Sequence, residues 1–399
     1  MSAAALLGAI SGVGKDPVRG GYSRHGFDRV ELDLRAWFTE EAARRGLGVE
    51  TDRNGTLWAW WGEPGDDAVV TGSHLDSVPG GGAFDGPLGV VAALAAVDLL
   101  RERGFTPGRP LAITVFPEEE GGRFGVACLG SRLMTGAIDP AAALRLSDPD
   151  GTTLAEALAF AGLDAARVGR DDAALARIGV FVELHVEQGR GLIDLGAPVG
   201  LARSILAHGR WRLRFTGEGN HAGATLLADR RDPMLPAAGV VLAARRAAAA
   251  VSGSRATVGR IIPIPGGTNV IPSTVDLWLD ARADDDARTR AVVADISAAA
   301  AELAETEGCA VTVTEESYGD AVHFDPTLRE DLAGVLGGVP QLPTGAGHDA
   351  GILAAHLPTA MLFVRNPTGI SHAPQEHAED ADCEAGAAAL ADVLAHLAR

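Results

Sequence analysis

Apolar and polar positions follow two patterns along this chain. In the first, short apolar runs break off into loops of Gly, Asp, Glu and His. Ala68-Val69-Val70 predicts a buried strand, and it feeds a glycine-rich loop, 71–86, that carries His74, Asp76 and Asp85. Leu88 to Arg103 predicts a long aliphatic helix closed by Gly104. Leu111 to Phe116 predicts a second strand, ending in Pro117-Glu118-Glu119-Glu120-Gly121-Gly122, and Gly179 to Gly189 a third, delivering His185 and Glu187. Helical spacing marks 27–46 and 151–176. Thr56 to Trp61 alternates as a strand whose Trp58, Trp60 and Trp61 are expected in packing. Strand, helix, strand with acidic loops at the strand ends predicts a doubly wound α/β fold, with ligands gathering at the carboxyl ends.

The second pattern starts near residue 210. Arg210 to Thr216 alternates as a strand, 233–251 is an Ala-rich helix, and Arg255 to Ile262 and Thr274 to Arg282 are strands. Asp285 to Glu305 is a helix and Ala310 to Glu315 a last strand. That βαββαβ order is the ferredoxin-like split unit. The first pattern then resumes with a helix at 328–337, a strand at 358–364 and a helix at 384–398. The expected fold is therefore α/β in two domains. One is discontinuous, 1–207 with 318–399, and 208–317 is inserted into it.

A length of 399 residues suits two domains, and 47% apolar content excludes a disordered chain. The net charge of -19 with no Lys or Arg run argues against a nucleic-acid partner. No stretch approaches the ~20 apolar residues of a membrane span. Cys128, Cys309 and Cys383 are odd in number and far apart. They predict no disulfide framework and suit a reducing, cytoplasmic setting.

His74, His185 and His372, with Asp76, Asp85, Glu118, Glu119, Glu120 and Glu187, are the polar groups expected at the strand ends. Imidazoles and carboxylates gathered this way are costly to hold without a cation. Mixed His and carboxylate ligation suits Zn²⁺, and also Mn²⁺, Co²⁺ or Ni²⁺. The donors suffice for two ions, which a carboxylate such as Asp85 could bridge. Of Glu119 and Glu120, one could bind metal while the other accepts a proton, and spacing does not assign which.

Together, Gly72-Ser73-His74-Leu75-Asp76-Ser77-Val78-Pro79, Phe84-Asp85-Gly86, Glu119-Glu120-Gly121 with Arg123-Phe124, and Glu183-Leu184-His185-Val186-Glu187-Gln188-Gly189 resemble the M20 metallopeptidase-like amidohydrolases. Asn220-His221-Ala222-Gly223, Gly345-Ala346-Gly347-His348-Asp349-Ala350 and Gly369-Ile370-Ser371-His372-Ala373-Pro374 extend the resemblance. It points to the allantoate amidohydrolase and N-carbamoyl-L-amino-acid hydrolase (hydantoinase/carbamoylase) branch, which includes β-ureidopropionase. The resemblance implies that His74, Asp85, Glu120, His185 and His372 hold two divalent ions, Zn²⁺ or Mn²⁺ with Co²⁺ or Ni²⁺ possible, and that Asp85 bridges. It implies Glu119 as general base and Asp76 as the acid that orients His74. His221, Asn269 and Arg282 match substrate-binding positions, as do Gln188 and His348. It also implies that the inserted domain is a lid through which the chain forms a homodimer.

Residue chemistry agrees with those roles. Arg282 offers a planar fork to a carboxylate, Asn269 can donate and accept, and His221 could support an oxyanion. The run Ala224-Thr225-Leu226-Leu227 and the segment Ala373-Pro374-Gln375-Glu376-His377 depart from the branch's usual pattern without removing a donor. The expected activity is hydrolysis of the ureido C–N bond of a small carboxylate-bearing substrate. Allantoate, giving ureidoglycine, ammonia and carbon dioxide, is preferred because the stretches Gly20-Gly21-Tyr22-Ser23-Arg24 and Trp58-Ala59-Trp60-Trp61-Gly62 resemble bacterial chains of that type. The alternatives are an N-carbamoyl-L-amino-acid hydrolase or β-ureidopropionase, then a dipeptidase or deacylase, then a non-catalytic metal-dependent binding protein.

Overall fold

The strand Ala68–His74 is buried along its whole length, because it has a parallel neighbour on each side. Strands covered on both faces need apolar residues at every position rather than at alternate ones, which explains the unbroken run. Its neighbours are Leu111–Phe116 and Ile178–Val186, and Thr359–Val364 lies parallel beyond the latter. Antiparallel strands flank this centre, Leu57–Trp61 and Gly48–Thr51 on one side and Val199–Ile205 on the other, and the short strands Val322–His323 and Gln341–Thr344 pair with the last. The sheet is thus mixed, with a parallel centre. Parallel strands end along the same sheet edge, so the loops after His74, Phe116, Val186 and Val364 all leave from one edge.

The computed structural model describes residues 1–399, and the chain divides into two compact units, Met1–Arg203 with His323–Arg399, and Ser204–Val322. In the first, the helices Ala3–Ile10, Pro87–Glu102 and Asp380–Leu397 share one aliphatic core with the sheet. Pro87 starts its helix directly after Gly86, where a missing N–H costs nothing. A smaller apolar cluster forms around Phe27, Phe124, Leu129 and Leu158. Trp58 and Trp60 are buried and stacked 5.6 Å apart, with their indole N–H groups donating to Asp52 and Glu50. They pack, as expected.

The second unit has four antiparallel strands in the order Ala310–Gly319, Ala207–Thr216, Thr274–Ala283, Arg255–Ile264. In chain order that is 4-1-3-2, and the helices Met234–Ala250 and Asp286–Thr306 complete the βαββαβ unit. Trp211, Leu213 and Phe215 face the helices, while Arg210, Arg212 and Arg214 take the alternate positions. Arg214 forms a two-point pair with Asp276 across the strands, and the Arg260 guanidinium lies 4.5 Å over the Trp278 ring. The unit extends beyond the expected 208–317 because the ladders run on, to Ala283 opposite Ala207 and Gly319 opposite His208. No helix is long and apolar enough to cross a membrane.

Candidate metal centre

His74 ends its strand and is fully buried. Its Nδ1 donates to the Asp76 carbonyl at 3.0 Å, which leaves the Nε2 lone pair pointing inward with no hydrogen-bond partner. His185 is built alike: Nδ1 meets the Val186 carbonyl at 2.9 Å, and Nε2 is unpartnered. Both Nε2 atoms face one oxygen of Asp85, at 3.6 Å and 3.1 Å. The other Asp85 oxygen faces His372 Nε2 at 3.5 Å, and His372 lies 3.2 Å from Glu120 Oε2. Asp85 is therefore shared by two donor groups, His74–Asp85–His185 and Asp85–Glu120–His372.

Gly86 makes this approach possible. Its φ of +83° is a backbone conformation L side chains rarely adopt, and a Cβ there would lie 2.4 Å from the His74 ring.

Lone pairs facing lone pairs inside a protein need a positive charge between them. Burial opposes protonation of His74, but Glu119, Asp85, Asp76 and Glu120 outweigh it and raise its pKa well above the usual histidine value. Burial likewise opposes His185, and Asp85 and Glu183 outweigh it, so its pKa is raised. Burial would raise the Asp85 pKa, yet His185 and His74 hold it well below the usual carboxylate range. The hydrogen bond to Glu120 pushes His372 up to about 9. A divalent cation supplies the charge this field favours, and the inward imidazole lone pairs and the unpartnered Glu120 Oε1 fit one.

Glu119 is buried, with Oε2 3.6 Å from His74 Nε2 and Oε1 accepting the Cys128 thiol. Burial, with Asp349, Glu120 and Glu183, raises its pKa well above the carboxylate range against the pull of His74. Such a carboxylate holds a proton more readily than an exposed one.

Asp76 acts differently from the expectation. Its carboxylate accepts the backbone N–H groups of Glu119 and Glu120 at 3.2 Å and 3.1 Å, and it is the Asp76 carbonyl that orients His74. The reason is geometric, since the carboxylate oxygen is 3.7 Å from His74 Nδ1. Gln188 belongs to the group, its amide donating to Asp85 at 2.9 Å and to Ser371 at 3.0 Å. His348 is buried with its ring 4.5 Å from that of His185, and neither nitrogen has a partner. Burial and His185 hold its pKa well below the usual value.

Glu187 turns away and accepts Gly191 and Leu192 N–H groups. Other residues, assigned no individual role from sequence, support the centre. Glu118, at φ +53°, accepts the N–H groups of Gly26, Arg123 and Phe124 and ties down the loop before Glu119. Glu183 accepts Ser73 Oγ and the Ala350 N–H, and Asp349 accepts Ser131 Oγ. Ser371 and Glu376 also reach the Asp85 loop. An acidic residue inside a buried strand, as Glu183 is, was the one local signal available.

His221, Asn269 and Arg282 belong to the second unit. His221 is exposed and pairs with Val270 in a two-stranded ribbon. Its Nδ1 accepts the Gly223 and Ala224 N–H groups, so Nε2 carries the proton and is a donor. Asn269 is exposed and adjoins it, its carbonyl accepting the Ala222 N–H. Arg282 lies on the four-stranded sheet opposite His208, and its Nε and Nη2 bind both oxygens of Asp280 at 2.8 Å and 2.9 Å. The edge expected to meet a substrate carboxylate is engaged by Asp280.

The family model described as Peptidase family M20/M25/M40 matches residues 70–396. The chain is 38% identical over 397 residues, 97% of its length and 96% of the relative's, to an N-carbamoyl-L-amino acid amidohydrolase of Geobacillus stearothermophilus. It is 31% identical over 386 residues, 95% of its length and 93% of the relative's, to the allantoate amidohydrolase of Bacillus subtilis. The crystal structure of an amidase of the hydantoinase/carbamoylase family from Burkholderia multivorans matches with a TM-score of 0.89 at 30% identity, covering 99% of this chain and 97% of that one. The chain belongs to peptidase family M20/M25/M40, and within it to the amidohydrolases that act on C–N bonds other than peptide bonds.

Proposed function

From that membership, we propose that the protein hydrolyses the ureido C–N bond of a small substrate bearing a carboxylate. The observation that carries the reading is Asp85, with one oxygen aimed at His74 and His185 and the other at His372. His74, Asp85 and His185 would hold one divalent ion, and Asp85, Glu120 and His372 a second. When bound, such ions acidify water and polarise a carbonyl. Glu119 takes the proton from the attacking water and returns it to the leaving nitrogen. Its burial suits both steps, because a carboxylate with a raised pKa takes up a proton more readily than an exposed one. Gln188 keeps Asp85 and His372 in register through its amide.

In the same reading the second unit recognises the substrate and pairs with a second copy of the chain. The His221 Nε2–H is a donor for a developing oxyanion, and Asn269 is exposed beside it. Arg282 receives the carboxylate in competition with Asp280.

N-carbamoyl-L-amino acids are the first candidate substrates, after the 38% relative, and allantoate the second, after the 31% relative. The stretches that favoured allantoate make structural contacts: Arg24 is buried against the Val13 and Ile10 carbonyls, and Trp58 and Trp60 pack. Protein reconstituted with Zn²⁺ or Mn²⁺ is assayed on N-carbamoyl-L-amino acids, allantoate, β-ureidopropionate and an N-acyl amino acid, following ammonia and amine release. Turnover of ureido substrates with ammonia release is expected. Activity on the acyl compound alone replaces the reading with a deacylase.

A further inference from the structure

Two loops carry Asp85 and His372, and they are brought together from opposite ends of the chain. One carboxylate touches both. Glu376 is 4% exposed, and its Oε1 accepts two successive backbone N–H groups, Phe84 at 3.1 Å and Asp85 at 2.9 Å, across 291 positions of sequence. Its Oε2 meets the Ser371 hydroxyl at 3.2 Å, next to His372, and that hydroxyl also reaches Asp85 Oδ2 at 3.1 Å. His372 sits at φ +57°, a conformation that a residue with a Cβ keeps only when its surroundings over-determine it. Gly82 allows the carboxylate in, since a Cβ there would lie 2.2 Å from Glu376 Oε1.

We infer that Glu376 is a positioning residue, a hydrogen-bonded clamp that sets the distance between Asp85 and His372 and so the affinity of the second donor group for a divalent ion. The inference rests on the proposed metal centre. Glu376 belongs to none of the donor groups placed to share an ion, and its Oε1 already accepts two backbone N–H groups. Its carboxylate fixes the backbone on one side and the serine hydroxyl on the other, so each loop is held relative to the other. Removing a group that orients a metal ligand costs about 10–100-fold in metal affinity.

The test titrates metal-free protein with Mn²⁺ by calorimetry and follows folding by circular dichroism. Glu376→Ala is expected to keep the fold and to lose about 10–100-fold in affinity in one of two binding phases, the phase that His372→Ala also loses. Glu376→Gln restores most of the affinity, because an amide oxygen can still accept both N–H groups. Gly82→Ala pushes the carboxylate out and reproduces the loss with Glu376 present, which keeps the test open if Glu376→Ala misfolds. Wild-type affinity in Glu376→Ala, or in Gly82→Ala, overturns the clamp alone, as does a Gln variant as weak as Ala. A wild-type protein that takes up no Mn²⁺ overturns the clamp and the metal reading together.

Discussion

The buried centre of the first unit and the exposed residues of the second are built on opposite principles. Around Asp85, His74, His185 and Glu119 are buried and His372 is half-exposed, the tautomers of His74 and His185 are set by backbone carbonyls, and Glu118 and His372 hold φ values that side chains avoid. In the second unit, His221 and Asn269 sit exposed on a two-residue ribbon, and Arg282 is already paired with Asp280. A buried polar group must be satisfied in one geometry, so the first region tolerates little change. An exposed group exchanges its partners for water at small cost, so the second can be retuned. The proposed chemistry belongs to the rigid region and the proposed specificity to the adaptable one.

Glu119→Gln is the largest expected effect. The amide cannot accept the proton, so kcat should fall by about 10²–10⁴-fold while the ion content stays that of wild type. Residual kcat above about a tenth of wild type would remove Glu119 as the base and blur the contrast between the two regions. Arg282→Ala should be milder, raising KM for carboxylate substrates about tenfold and changing kcat little, as loss of a charged hydrogen bond does. An unchanged KM would leave Arg282 as the partner of Asp280 only, and a larger fall in kcat than in affinity would move it to the reacting group.

The smallest effect is on stability. Burial lowers the His208 pKa in the folded second unit, so the unfolded chain binds the proton more readily. Its contribution is fully present above the unfolded value of about 6.5 and is lost as the pH falls below it. In calorimetry at falling pH, the transition of the second unit should decline in wild type and decline less in His208→Asn. Equal slopes would show that His208 has no part in it.

The strand and helix pattern was legible because it depends on local periodicity. The run Ala68–Val70 is apolar throughout since its strand is covered on both faces, and Ala207–Thr216 alternates since one face packs on helices. His74, Asp85, Glu119, Glu120, His185 and His372 stood out as candidates because His74 and His185 lie at the ends of such strands and the others in the loops that follow strands. Asp76 was legible as a supporting residue, but the choice between its carboxylate and its carbonyl was not. That choice turns on a 3.0 Å contact against a 3.7 Å one.

By itself, then, the sequence determined which side chains come to the ends of the parallel strands and where one folding pattern interrupts another. Propensity and spacing act over a few residues, and both features are written at that scale. Only the tertiary structure decided how Asp85 aims one oxygen at His74 and His185 and the other at His372, and that Glu376 joins loops 291 positions apart. Those outcomes depend on hydrogen bonds whose partners meet only after the sheets have formed, and on lone pairs that burial leaves no water to satisfy.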